Sequence, residues 1–384
     1  MALKPNKKDT PPEGNKFALL IGVDTFSDPG IPPLRGVTKD INKLGKLLNN
    51  RQRSEFKVES QLNPTFVQSR KAISKISQQA QANDVIFFYY SGHGAFDQQR
   101  SLYLLFGDSE TSFLDATCLE SEFILSQFRK SACQNFIIII DCCHSGAFFN
   151  NNRGLPKGLF ALTACDEQGL SYEDEKGGIF TNIIINGLTS DYIDADRDGK
   201  ITFSELFDYI IDEIKSNTSW QSGVPQKWEW NVNKDICFFD SPRPVFISYR
   251  RTQTKFVKKL SKKLNEAEIP TFVDLEKIRI GDNWKRELEK TIKNARTFLF
   301  VLDSEILYSK VSNWELEKAY DNNIPILPIM VEEVKIPAIF ENKYGHINRM
   351  SFSKKFFDDD VKTLIDHIKS LRIKKVKAEN INED

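Results

Sequence analysis

The sequence predicts two α/β domains in tandem, each a mostly parallel sheet with helices on both faces. Three observations predict this. Apolar runs such as Phe17–Val23, Val85–Tyr90 and Phe136–Ile140 lack polar alternation, the pattern of strands buried on both sides. Segments with helical spacing separate these runs. The rhythm stops at Ser241-Pro-Arg-Pro244 and restarts at Val245, and two prolines in so short a stretch make a stiff join.

The elements follow in order. Residues 1–15 form a charged leader with Pro and Gly but no apolar h-region, unlike a signal peptide. After the strand at Phe17–Val23, Asp40–Leu48 has helical spacing, with Ile41, Leu44, Leu47 and Leu48 on one face. A helix over Val67–Ala82 precedes the strand Val85–Tyr90. Strands at Phe136–Ile140 and Leu159–Thr163 come next, then helical patterns at Asn182–Leu188 and Glu205–Ile214. The first domain spans 16–240 and the linker 241–244. In the second domain, 245–373, strands are expected at Val245–Tyr249, Pro270–Asp274, Thr297–Leu302 and Ile324–Val331. Helices are expected at Thr254–Glu266, Trp284–Asn294 and Trp314–Asp321. A charged tail, 374–384, closes the chain.

Composition sets bounds. Lys plus Arg and Asp plus Glu number 53 each, so nothing global points to nucleic acid or an anionic membrane. Hydrophobic residues at 40% and aromatics at 11% suffice for two cores. No apolar run reaches the ~18 residues a membrane span needs. Six cysteines are too sparse for a disulfide framework, and adjacent Cys142-Cys143 suits a reducing, cytoplasmic setting. Cys133, Cys165 and Cys237 read as core or strand residues.

The chemistry concentrates at two strand ends. One strand runs into Ser91-Gly-His93-Gly94, the other into Asp141-Cys142-Cys143-His-Ser-Gly146. Parallel strands bring their carboxyl ends to one sheet edge, where open α/β sheets hold their sites. A thiol and an imidazole can meet there as nucleophile and general base. The N–H groups of Gly94 and Cys143 are candidate oxyanion donors. Alternation turns Cys142 and Cys143 to opposite sides. The loop between this strand and the next carries Arg153 and Lys157, exposed candidates for proteolytic processing.

These residues resemble the caspase fold, and within it the metacaspase-like, largely bacterial, branch, with the separation of about 50 residues that caspases use. The likeness includes Ile21-Gly-Val23, Leu34-Arg-Gly36 with Asp40, Thr163–Gln168 and Gly178-Ile-Phe-Thr181. It implies Cys143 as nucleophile and His93 as base of a cysteine endopeptidase that needs no cofactor. It further implies Asp141 and Asp40 as acids bordering a pocket for a basic P1 side chain. No Gln-Ala-Cys-Arg-Gly stretch occurs, so aspartate specificity like that of animal caspases is not expected.

Asp194-Ala-Asp196-Arg-Asp198-Gly199-Lys200 through Glu205 fits the twelve-residue EF-hand loop, with Lys200 at the seventh position. Bound Ca²⁺ and a solvated acidic turn are both open readings. The second domain resembles a TIR domain with a flavodoxin-like sheet, carried by Val245–Arg251, Phe272–Gly281 and Trp314-Glu315. The resemblance implies Glu315 as a catalytic glutamate, Tyr249 and Arg250 near a dinucleotide, and Trp284 beside the nicotinamide. Val311 stands where NAD-cleaving members often carry Trp. Glu315 is then either catalytic toward NAD or a surface helix residue in a domain that self-associates or binds an NAD-derived nucleotide.

Three functional readings follow: a peptidase regulated by its TIR domain, in antiviral defence or programmed cell death; an NAD hydrolase with a regulatory first domain; and a non-enzymatic assembly protein.

Overall fold

The computed structural model describes residues 14–371 apart from 51–52, 152, 175–176, 191–192, 196–199, 217–222, 233–234, 242, 268, 274–283 and 354. Residues 1–13 of the expected leader and the whole expected tail lie outside the described residues, while Asn15, the leader's last residue, donates its amide to the Asp84 carboxylate (2.7 Å). The chain divides into two compact units between Ser241 and Pro242.

The first unit begins β1 (Lys16–Gly22), α1 (Val37–Leu48), β2 (Lys57–Leu62), α2 (Phe66–Gln79) and β3 (Val85–Ser91). Short pieces follow: β4 (Gly94–Phe96), β5 (Leu102–Leu104), α3 (Leu114–Thr117) and β6 (Leu119–Glu120). Then come α4 (Ser121–Lys130), β7 (Phe136–Asp141), β8 (Leu159–Thr163), β9 (Glu173–Asp174), β10 (Gly177–Gly178) and α5 (Ile179–Thr189). The unit ends with β11 (Lys200–Thr202), α6 (Phe203–Ser216), β12 (Gln226–Trp230) and β13 (Cys237–Asp240).

Six strands form the main sheet in the order β12-β8-β7-β3-β1-β2, parallel except for β12, which runs against β8. Successive residues of its central strands feed two cores. Leu19, Ile21, Phe88, Tyr90, Ile138 and Ile140 pack on one face. Ala18, Leu20, Phe87, Tyr89, Ile137 and Ile139 pack on the other. Each fully buried large side chain stabilises the fold by about 2 kcal/mol, so these strands sit where the apolar runs predict.

Some elements depart from the sequence reading. α1 starts at Val37, before the apolar spacing begins, because Glu173 accepts the amides of Arg35 and Gly36 (2.7 and 2.8 Å) and fixes the entry to the helix. That brings Asp40 into the first turn. β2 has a polar sequence and a half-exposed surface because it is an edge strand with one partner. β4, β5 and β6 form a separate antiparallel sheet too short for any periodicity to register. α2 starts at a capping box in which Thr65 and Gln68 satisfy each other's backbone amides.

The second unit comprises β14 (Val245–Ser248), α7 (Thr254–Glu266), β15 (Thr271–Val273), α8 (Trp284–Lys293), β16 (Thr297–Leu302) and α9 (Lys310–Asp321). It continues with β17 (Ile326–Met330), α10 (Ala338–Tyr344), β18 (Met350–Ser351) and α11 (Phe357–Ser370). All five strands are parallel, in the order β15-β14-β16-β17-β18, the flavodoxin-like 2-1-3-4-5 arrangement. α9 begins at Lys310, a turn before Trp314, because Ser309 caps it by accepting the Ser312 amide. No helix among the described residues is long and apolar enough to cross a membrane.

Candidate active site

β3 and β7 are neighbours, and Ser91 stands opposite Asp141 at their carboxyl ends. The Gly92 amide continues the pairing by donating to the Asp141 carbonyl (3.3 Å). His93 and Cys143 therefore each lie two residues beyond a shared register point. A Cβ on Gly94 would fall 2.6 Å from the Cys143 carbonyl oxygen and 2.8 Å from Cys142 Sγ, so only glycine lets the two segments close to this distance.

His93 has a partner that side-chain reasoning missed. Its Nε2 lies 2.8 Å from the Pro32 carbonyl. A carbonyl only accepts, so Nε2 carries a hydrogen, and in the neutral ring the lone pair is then on Nδ1. The loop bearing Pro32 is tied down at both ends. Leu34 donates to the Asp24 carbonyl, and the Asp24 carboxylate accepts from Thr38 (2.7 Å). The Asn63 side chain accepts the amides of Asp24 and Thr25 (2.9 and 3.1 Å). Backbone carbonyls leave no trace in residue types, so nothing in the sequence marks Pro32.

The thiols divide as alternation suggests: Cys142 is buried and Cys143 half-buried. The Cys143 thiol donates to the Ser171 carbonyl over 3.8 Å. Burial pushes this thiol above its ordinary range, so it needs a base to become nucleophilic. Leu105 donates to the His93 carbonyl (3.1 Å) and Asp97 to the Ser101 carbonyl (3.3 Å). Gly94 and Leu104 consequently form a non-bonded pair of the ladder, and the Gly94 N–H points away from β5.

Asp40 and Asp141 are brought together and buried. Ser171 Oγ and Thr181 Oγ1 each donate to Asp141 at 2.6 Å, one to each oxygen. Asp40 accepts the Gly178 amide (2.8 Å) through Oδ2, while its buried Oδ1 has no hydrogen-bond partner. Burial, with the neighbouring Asp141 charge, pushes Asp40 up to about 7; burial also raises Asp141. Gly177, with φ at +138°, passes so close that a Cβ there would meet Asp40 Oδ1 at 2.1 Å. Ser171 and Thr181 were given no role from the sequence, although Thr181 lies in the Gly178–Thr181 run.

Asp196 and Asp198 of the EF-hand-like loop lie outside the described residues. Asp194 is buried, and the Lys200 side chain pairs with Asp240 at 2.6 Å. Glu205 serves the backbone: its oxygens accept the amides of Ala195 and Thr202 (both 2.9 Å), while Thr202 Oγ1 accepts the Glu205 amide. This is a capping box at the start of α6. β11 pairs with β13, filling the place a second hand would take.

Arg153 and Lys157 are exposed, yet the loop is pinned. Glu122 accepts the Arg153 amide (3.3 Å) and Arg129 donates to the Gly154 carbonyl (2.6 Å), while Arg129 and Glu122 pair with each other. Asn151 reaches across to the Gln99 carbonyl.

In the second unit Glu315 is buried, 2% exposed, and Ser248 Oγ donates to its Oε2 at 2.6 Å. The reading as a surface helix residue is therefore corrected: α9 turns Ser312, Glu315, Leu316 and Ala319 inward. Ser248 ends β14, beside the point where strand order reverses, the usual ligand position in such sheets. Tyr249 packs on the core and Arg250 pairs with Glu305 at 2.5 Å. α8 begins at Trp284; the segment 274–283 before it is outside the described residues. Cys237 is a strand residue and not a core one: it lies in β13 and is exposed, at the end of a short two-strand ladder.

Comparison with known proteins gives two matches along the chain: the caspase domain over residues 15–278 and the TIR domain over residues 245–365. Their overlap lies in the second unit. Metacaspase-1A of Aspergillus terreus is 34% identical over 90 residues, 21% of this chain and 22% of that protein. Metacaspase-1B of Aspergillus clavatus is 26% identical over 153 residues, 35% of this chain and 36% of that protein. The chain thus spans between a fifth and two fifths of these curated relatives. Caspase-1 from Spodoptera frugiperda superposes with a TM-score of 0.47 at 13% identity, covering 63% of this chain and 100% of that one.

Proposed function

The chain belongs to the caspase domain family and also carries a TIR domain, and from that premise we propose that it is a cysteine endopeptidase with Cys143 as nucleophile and His93 as general base. The observation that carries the reading is the register of β3 and β7, which brings thiol and imidazole to one edge. His93 Nδ1 takes the Sγ proton as sulfur attacks the scissile carbonyl carbon. The oxyanion is met by the amides of Gly94 and Cys143. The C–N bond then breaks as His93 returns the proton to the departing amine, leaving a thioester. Water, losing a proton to His93, attacks that thioester; the peptide acid leaves and the thiol regains its proton.

P1 is arginine or lysine in this reading. Two buried carboxylates, one with an unpartnered oxygen, favour a cation and repel an acidic side chain. Fluorogenic peptides with Arg, Lys or Asp at P1, assayed with the wild type and Cys143→Ala, test it. Cleavage after Arg or Lys that vanishes in the variant is expected; preferred cleavage after Asp would overturn it.

Hydrolysis of NAD in the TIR domain is a second reading, favoured by the burial of Glu315 against Ser248. A carboxylate can stabilise the oxocarbenium-like ribosyl centre left by departing nicotinamide. Nicotinamide release that persists in Glu315→Ala would end it. A protease joined to such a domain suits an effector of cell death in antiviral defence. Toxicity of Cys143→Ala, Glu315→Ala and the double variant, compared in one host, tells which chemistry kills.

A further inference from the structure

Tyr89 is a phenol in an otherwise aromatic-hydrocarbon layer. It lies in the middle of β3, between Phe87 and Ser91, fully buried in the core on one face of the sheet. Phenylalanine would supply the same packing, as Phe87 does two residues earlier. A hydroxyl there costs desolvation unless it is bonded. Tyr89 Oη lies 2.6 Å from Thr181 Oγ1, and Thr181 Oγ1 lies 2.6 Å from Asp141 Oδ2.

Counting protons gives this chain a direction. A threonine hydroxyl has one hydrogen, and while Asp141 is ionised Thr181 spends it on the carboxylate. The Thr181–Tyr89 contact must then use the phenol's hydrogen. Burial holds that phenol well above its ordinary range, so the hydrogen is always present. Ser171 holds the other Asp141 oxygen at 2.6 Å. Asp141 is thereby fixed through both oxygens, whereas Asp40 has a single amide donor and an unpartnered oxygen.

We propose that Tyr89, which is too deep to touch a substrate, is a positioning residue for cationic P1 recognition, holding Asp141 in its binding orientation through Thr181. The proposal rests on the reading of Asp40 and Asp141 as the P1 site. Tyr89 donates to Thr181; Thr181, with its rotor locked, donates to Asp141; Asp141 keeps its remaining lone pairs for the guanidinium or ammonium. Tyr89 and Asp141 stand on β3 and β7, the two most central strands, and Thr181 joins them from the first turn of α5, so the relay is built from elements of the fold itself.

The test is steady-state kinetics of the full chain on matched peptides with Arg or norleucine at P1. Tyr89→Phe should raise KM for the Arg peptide about fivefold, the scale of one hydrogen bond to a charged network. Its kcat, and its KM for the norleucine peptide, should change less than twofold. Thr181→Val should raise the Arg KM about tenfold or more, and Thr181→Ser should restore it. In the Thr181→Val background, Tyr89→Phe should add nothing, since the link is already cut. Equal losses on both peptides, or additive losses in the double variant, would overturn the proposal and leave Tyr89 a packing residue. If the wild type prefers Arg and Tyr89→Phe leaves its KM unchanged, only the positioning role falls. A wild type that does not prefer Arg or Lys overturns the P1 reading and this proposal with it. Should Tyr89→Phe fail to fold, the Val and Ser pair at Thr181 decides whether the hydroxyl link exists.

Discussion

Asp40 is where burial and function pull against each other. Its carboxyl is pushed up to about 7 from an ordinary 3.8. Between those values the folded chain holds a proton the unfolded chain lacks, so stability falls as pH rises from about 4 to about 7 and is level above. Asp40→Asn should remove that slope, melt higher than wild type at pH 8, and lose cleavage after Arg. In the proposed P1 reading, binding a basic side chain needs the ionised form. KM for an Arg peptide should therefore fall about tenfold between pH 6 and pH 8 in the wild type, and a flat KM profile would show that Asp40 takes no part. Cys143→Ala should lower kcat/KM at least ~10³-fold while leaving the melting temperature close to wild type. His93 and Cys143 were legible because glycine-flanked motifs end apolar runs. Pro32, Ser171 and Thr181 were not, since each acts through a backbone carbonyl or a hydroxyl whose meaning depends on what folds beside it.

Among the elements, β1, β3, β7, β8, β14, β16 and β17 were readable because strands covered on both faces have no polar positions. β2 was hidden by its edge position, and β4 to β6 by their length. α1 and α9 begin early because contacts at their entry, rather than apolar spacing, start the helix: Glu173 accepts the amides just before α1, and Ser309 caps α9. The same lesson applies to Glu205, whose sequence position suggests a metal ligand and whose oxygens cap α6. Glu205→Ala should cost about 1 kcal/mol by losing that cap, measured by thermal melting without added metal. The loop after β7 supplies a sharper test. Its clamp by Glu122 and Arg129 ties up the Arg153 amide and the Gly154 carbonyl, backbone groups that an incoming protease would have to free. Arg129→Ala should speed cutting at Arg153 several-fold, read by mass spectrometry over time; unchanged cutting would mean that the clamp does not limit access.

At the scale of the molecule, two α/β units share one chain. If the TIR domain self-associates, tethering would raise the local peptidase concentration into the ~mM range and could populate a weakly occupied active arrangement around Cys143. The full-length protein is predicted to be quiet as a monomer. NAD, or a nucleotide made from it, should raise oligomeric state and peptidase rate together, measured by light scattering and fluorogenic cleavage on the same samples. Full activity in a strictly monomeric preparation would mean that association is not the switch.

The uneven accessibility of the six thiols also gives the protein its own counting device. Cys118, Cys133, Cys142 and Cys165 are buried, Cys143 is half-buried and Cys237 exposed. With Cys237→Ser in place, a bulky alkylating reagent applied to the native protein has one sulfur within reach. The moles of label taken up then equal the moles of intact Cys143 thiol, the proposed nucleophile, which turns any preparation into one whose competent fraction can be titrated before a rate is ever quoted.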